Sequence, residues 1–214
     1  MYQLIIAMSR DFQKPRRFTQ IAYFGKIAMV DILFLGKYNT DMDAGVSKKM
    51  AHSIEKFHLP RYGEMPDMGL YLEQTTRYIN SVLEPLGYIE ITNSMISNYV
   101  KKGLVESPVK KQYNANQIAH LIVIAILKNV VSLENISELF TQQIKIYTDE
   151  VAYDYFCQEL ENMLQFQFGL KCSVDDVGVT SSFEKKMLRS AIIAVSHMIY
   201  LNSCFKVLKE KCET

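Results

Sequence analysis

Residues 91–140 read ITNSMISNYVKKGLVESPVKKQYNANQIAHLIVIAILKNVVSLENISELF. Thr92 or Asn93 can accept hydrogen bonds from the open amides of a first helical turn. Met95, Ile96, Tyr99 and Val100 then recur on one side of a short helix. Ser94, Ser97, Asn98 and Lys101 fall on the other, at offsets of three, four and seven. Gly103 supplies the left-handed residue that ends a helix, and Lys101 and Lys102 suit its negative carboxyl end. Residues 104–113, LVESPVKKQY, contain Pro108 and are too short for another helix; a two-stranded β-wing fits their length. Asn114 and Gln117 make an N-x-x-Q capping pair. The cap and the length of the run after it predict a buried helix, although Ile118 to Leu127 is rich in residues that favour strand. Ser132 opens a further helix, with Glu134 in its first turn and Leu133, Ile136, Leu139 and Phe140 as its inner face.

A capped polar helix, a basic loop and two more capped helices follow in the order that a winged helix-turn-helix requires. The short or amide-bearing side chains Ser94, Ser97 and Asn98 would let the first helix approach base edges closely, and an Asn can give adenine two hydrogen bonds in the major groove. Lys101, Lys102, Lys110 and Lys111 would meet phosphates, which sets position and affinity rather than base choice. From Thr92 to Phe140 there are five basic and three acidic residues, and four of the lysines lie within eleven positions. An isolated lysine pair is usually a solvated face; two pairs flanking a turn are a more specific signal.

The chain has 214 residues, enough for one domain or two small ones, and 49% of them are apolar, as in a globular protein. A net charge of +1 excludes a bulk polycation, so any nucleic-acid contact must be local. Residues 1–58 carry little periodicity: a basic patch around Arg16 and Arg17, a short apolar run from Ile27 to Leu35 that reads as a buried strand or core helix, and Met42 and Met50 just before clear patterning begins. One of those methionines is an expected translation start. Asp67, after Pro66, is expected to cap a helix carrying Leu72, Ile79, Leu83 and Leu86, which Pro85 and Gly87 stop. Residues 141–214 read as helical. Tyr153, Phe156, Leu160 and Met163 form one stripe and Gly169 closes it; Ser181 and Glu184 read as a second capping box. Met187, Ala191, Ala194, Met198, Leu201, Phe205 and Leu208 then alternate steps of four and three, a heptad seam widened by Leu188, Ile192, Val195 and Ile199. Such a helix must pack on its own chain, on a second copy, or on both.

Cys157, Cys172, Cys204 and Cys212 show no CxxC or Cys/His ligand spacing, so reduced thiols in a cytoplasmic protein are expected. No uninterrupted apolar run approaches the ~20 residues of a membrane span. There is no HExxH, GxSxG, P-loop or GxGxxG; Asp175 and Asp176 read as exposed loop residues and His120 as a satisfied core histidine. No catalytic residue, metal or cofactor is expected, and an enzyme is not.

The runs LPRYGEMPDMGLYLEQTTRYI and NSMISNYVKKGLV, with KKQYNANQIAHLIVIAILK, resemble a bacterial family known as number 1836 among the domains of unknown function, over roughly Leu59 to Phe140. More distantly, the same stretch is similar to the DNA-binding domain of the mercury-resistance regulator (MerR) superfamily. Tyr99, Gly103, Leu104, Tyr113 and Ser132 to Ile136 fall on that pattern, and the resemblance adds Tyr99 to the DNA-facing set. Asn98 stands where that superfamily usually carries a phosphate-gripping arginine, and the turn between Pro85 and Thr92 is longer than usual. The superfamily's long dimer helix has a counterpart in Ser181 to Cys212. The resulting expectation is a mainly α chain: an extension over 1–58, a winged helix-turn-helix over 59–140 and an all-helical region over 141–214. It would be a homodimeric regulator of double-stranded DNA. The alternative is a protein-interaction adaptor on the same fold, and a third reading is a sensor holding an apolar effector among Tyr153, Phe156, Met163 and Met198.

Overall fold

The computed structural model describes residues 44–87, 89–177 and 182–212. The expectations that fall on Arg16, Arg17, Ile27 to Leu35, Met42 and Ser181 lie outside those residues. Among the described residues seven helices and a two-stranded sheet follow in order, so this part of the chain is mainly helical: α1 (Ala44–Ile54), β1 (Leu70–Tyr71), α2 (Leu72–Leu83), α3 (Asn93–Lys101), β2 (Gln112–Tyr113), α4 (Ala115–Leu127), α5 (Leu133–Gln143), α6 (Asp149–Gln167) and α7 (Phe183–Cys212), with short 3-10 turns at Tyr62–Glu64 and Glu84–Leu86.

The centre of the core is α4. Its capping box forms as its sequence predicts: Asn114 Oδ1 accepts from the Gln117 amide at 3.0 Å and Gln117 Oε1 from the Asn114 amide at 2.8 Å. Every residue from Gln117 to Leu127 except His120 is buried. Burial on all sides overrides the strand preference of its isoleucines, because each fully buried Ile or Leu contributes about 1.5–3 kcal/mol while the propensity differences are a few tenths per residue. Around α4 pack α2, α5, α6 and α7, and the most extensive helix pairing is α6 on α7. From Ala44 onward the described residues form one compact unit. The reason is visible in α1, where Met50 and Ile54 at a four-residue step are buried, and in α4, which touches both α2 and α6.

One cap differs from expectation. Helix α2 begins at Leu72, five residues after Asp67, because β1 occupies Leu70–Tyr71 and the Tyr71 amide is taken by Gln74 Oε1 at 2.9 Å. Helix α7 is capped by Ser182, whose Oγ accepts from the Lys185 amide at 3.2 Å. Gly103 (φ 74°) and Gly169 (φ 75°) end α3 and α6 as their sequence positions predict. After each, the next residue's amide reaches back to the carbonyl of Tyr99 (3.0 Å) or Gln165 (2.8 Å).

Two ion pairs fasten the layers. Arg61 donates to both carboxylate oxygens of Glu161 on α6, at 2.8 and 2.6 Å, and the Leu59 amide joins Glu161 Oε1 at 2.8 Å. On the other side of α6, Glu159 is fully buried and faces Arg189 of α7 at 2.9 Å. Cys157, Cys172 and Cys204 are free thiols, and burial pushes that of Cys157 up to about 12, which makes it a poor nucleophile.

Candidate nucleic-acid interface

Helix α3 forms where its sequence predicts. Thr92 Oγ1 accepts from the Met95 amide at 3.2 Å, Ile96 and Tyr99 are buried, and Ser94, Ser97, Asn98 and Lys101 are exposed. Ser94 Oγ lies 2.9 Å from Thr92 Oγ1, and Ser97 Oγ donates to the Asn93 carbonyl at 2.9 Å. Tyr99 corrects the expected set. It is 4% exposed and its hydroxyl is pushed upward by burial, so it anchors α3 to the core rather than facing outward. The helical phase that buries Ile96 carries Tyr99, three residues on, to the same side.

The connection between α2 and α3 is fixed by Asn80. Asn80 of α2 donates from Nδ2 to the Ile91 carbonyl and accepts on Oδ1 from the Ile91 amide, both at 2.9 Å. This pair closes the connection between the helices, and Lys128 Nζ, donating to the Glu90 carbonyl at 2.7 Å, ties the same connection to the end of α4. Lys128, one of the five basic residues of the segment, therefore has a structural task. Asn80 stands on a polar strip with Glu73, Thr76 and Arg77, so nothing in the local sequence marks it. Asn80→Ala leaves a buried peptide group without partners and is expected to lower stability by about 1–3 kcal/mol; urea unfolding would measure it, and an unchanged midpoint would show that water replaces the amide.

The loop after α3 is shorter in regular structure than the expected wing. Val109 and Gln112 form a single antiparallel bridge, and the Gln112 amide donates to the Val109 carbonyl at 2.9 Å. The partner of β2 is β1, with Leu70 opposite Tyr113 and Tyr71 opposite Gln112. Pairing at this distance requires a glycine at 69, since a Cβ there would stand 2.8 Å from the Cβ of Gln112. The base is anchored by buried Val105 and Tyr113 and by buried Gln117, whose Nε2 donates to the Glu106 carbonyl at 2.9 Å.

At the tip, Lys110 (φ 51°) and Lys111 (φ 65°) both lie in the left-handed region. That is the backbone of a type I′ turn, which strongly favours Asn-Gly, because a side chain there costs roughly 1 kcal/mol or more. Both lysines are exposed, as are Lys101 and Lys102, and among the described residues none of the four has an acidic partner. Thus α3 presents a short polar face ending in two lysines, and a strained basic hairpin tip is held through β1 and β2 against the same helix, α2.

Farther along the chain, Tyr153 and Phe156 line a cavity of about 220 Å³, whereas Met163 and Met198 do not. Met163 lies seven residues, about 10 Å, beyond Phe156 on α6, too far to share the cavity. His120 stacks on Phe140 (centroids 4.6 Å apart) with its Nε2 3.5 Å from Asp149, the satisfied histidine that its setting predicts. Among the described residues no group of three or more His, Cys, Asp or Glu side chains is placed to hold a metal ion.

Helix α7 splits the expected seam. Ile192, Val195 and Ile199 are buried, while Met187, Leu201, Phe205 and Leu208 are 36%, 53%, 51% and 57% exposed. The widening residues pack on the chain, and much of the heptad seam faces away from it. This helix is also long and apolar enough to cross a membrane, with a mean hydropathy of 1.5 and 28% of the window buried. Ser196, His197, Asn202 and Ser203 interrupt the apolar run, which is why reading for an unbroken stretch passes over it, but they do not lower the average far.

The described chain is thus a mainly helical protein with a two-stranded sheet and an exposed, lysine-edged helix and hairpin. Residues 60–159 match the family described as Domain of unknown function (DUF1836), and the match supports that family for this segment, which runs from before β1 to the middle of α6. No curated protein and no solved structure matches the chain.

Proposed function

We propose that this protein is a DNA-binding transcriptional regulator in which α2, α3 and the Val109–Gln112 hairpin act as a winged helix-turn-helix. The observation that carries the reading is the hairpin tip. Two lysines occupy backbone conformations that favour Asn or Gly, and strain of this kind is kept where the side chains are needed. Ser94, Ser97 and Asn98 would read base edges, and the four lysines would hold the flanking phosphates. The order β1, α2, α3, hairpin, α4, α5 supports the same reading, as does the resemblance to the MerR-like superfamily.

A regulator of this kind binds as a dimer, and the unpaired seam of α7 is suited to a second copy. Met187, Ala194, Leu201 and Leu208 recur every seven residues, the spacing at which two identical helices interdigitate. Two copies would offer their α3 helices to half-sites about 34–36 Å apart. Leu201→Glu with Phe205→Glu is expected to turn a dimer into a monomer by light scattering after size exclusion; a double variant that still runs as a dimer places the interface elsewhere.

A second reading is favoured by the net charge of +1 and by Asn98 at the arginine position: the lysines would then dock an acidic protein partner. Genomic footprinting of the tagged protein, with duplex titration over a range of salt, separates the two. Protected sites and an affinity falling steeply with salt belong to the regulator; no protection anywhere would end that reading.

A further inference from the structure

We propose that the cavity lined by α4, α5, α6 and the start of α7 is a binding site for a small, neutral, aromatic molecule. The space is open at one side and measures about 220 Å³, more than close-packed side chains usually leave between them. A dry apolar cavity of about 150 Å³ already accepts benzene, so this one has room for one or two fused rings.

The chemistry of the walls selects the class. Phe140, Tyr147, Tyr155 and Phe156 contribute rings, and aliphatic side chains from α4, α5 and α7 fill the spaces between them. Rings of this kind favour an aromatic guest through edge-to-face and offset contacts. The charged groups at the rim each have a contact within the chain. Asp149 accepts from the Asn116 amide and faces His120, Glu184 is held by the Ser182 hydroxyl, and Lys185 Nζ sits 5.3 Å from the Tyr155 ring centroid. The surface between these groups is apolar, which favours a neutral guest over a charged one. The Tyr155 hydroxyl is buried and makes no hydrogen bond within the chain, so it offers one polar contact to a guest that carries a single donor or acceptor. Ile146 and Val151, 48% and 54% exposed, give the cavity an apolar mouth. None of this depends on whether the protein binds DNA.

The test titrates the full chain with N-phenyl-1-naphthylamine, a neutral aromatic dye that fluoresces in apolar surroundings. Saturable one-to-one binding is expected, weakened at least about tenfold by Leu139→Trp, which fills the cavity. In the unaltered protein, methyl resonances of Ile136, Leu139 and Val151 should shift with the dye, while those of Leu201 and Leu208 on the exposed face of α7 stay in place. That readout decides the matter even if the tryptophan variant does not fold. Absence of saturable binding, or shifts confined to Leu201 and Leu208, would overturn the proposal.

Discussion

Arg189→Met is expected to destabilise the fold by about 3 kcal/mol near neutral pH, and by much less in acid. The side chain sits with its Nε 2.9 Å from Glu159, whose carboxylate is fully buried between α6 and α7. Burial already raises the Glu159 carboxyl above the usual carboxylate range; Arg189, and then Lys185, oppose that rise, while Asp176 adds to it. Removing the arginine leaves a buried charge without its main partner, so the folded protein holds the proton more tightly still. The sign follows from linkage: a carboxyl whose folded pKa is raised favours the fold at low pH, and that stability is lost as pH rises from the unfolded value through the folded one. Urea unfolding of both proteins at about pH 7 and about pH 4 measures the effect. A gap of the same size at both would mean that Arg189 acts through packing of its stem and not through Glu159.

Lys110→Glu with Lys111→Glu is expected to lower duplex affinity at least about tenfold near 0.15 M salt, and to flatten the plot of log affinity against log salt by about 2. The companion change Lys110→Asn with Lys111→Gly separates binding from folding. It replaces two strained residues by the pair that a type I′ turn favours, so it should stabilise the protein by about 1–2 kcal/mol while still weakening DNA binding. Opposite signs for stability and affinity are what a strained functional tip predicts. Asn98→Ala should instead leave the salt slope alone and relax choice at one base position. Equal duplex binding by all three variants would remove the basis for the regulator.

Local signals were read well from the sequence wherever a side chain acts on its own backbone. The Asn114–Gln117 box, Ser132, Thr92, Gly103 and Gly169 each satisfy helix ends within a few residues, and the periodicity of Met95 to Lys101 alone set which side of α3 would be wet. Where a strand intervened, as at Asp67, the same reasoning missed by a few residues. Tyr99 follows its helical phase into the core, against the DNA-facing place that the family resemblance implies.

Other features were settled only when distant segments met. Nothing between Lys101 and Gln112 indicates that β2 would find its partner at Leu70–Tyr71, because a strand's register depends on a neighbour some forty residues away. The Asn80 bridge to Ile91, the bidentate Arg61–Glu161 pair and the burial of Glu159 beside Arg189 are of the same kind. So is the division of α7 into a packed face and an open one. Heptad spacing dictates that this helix has an apolar seam; only the packing of the other helices, α6 above all, determines which residues are covered and which are left exposed. Helix caps and periodicities are interactions within one turn of chain and are written in adjacent residues. Strand partners, buried charges and cavities are properties of surfaces brought together by folding, and no short stretch of sequence contains them.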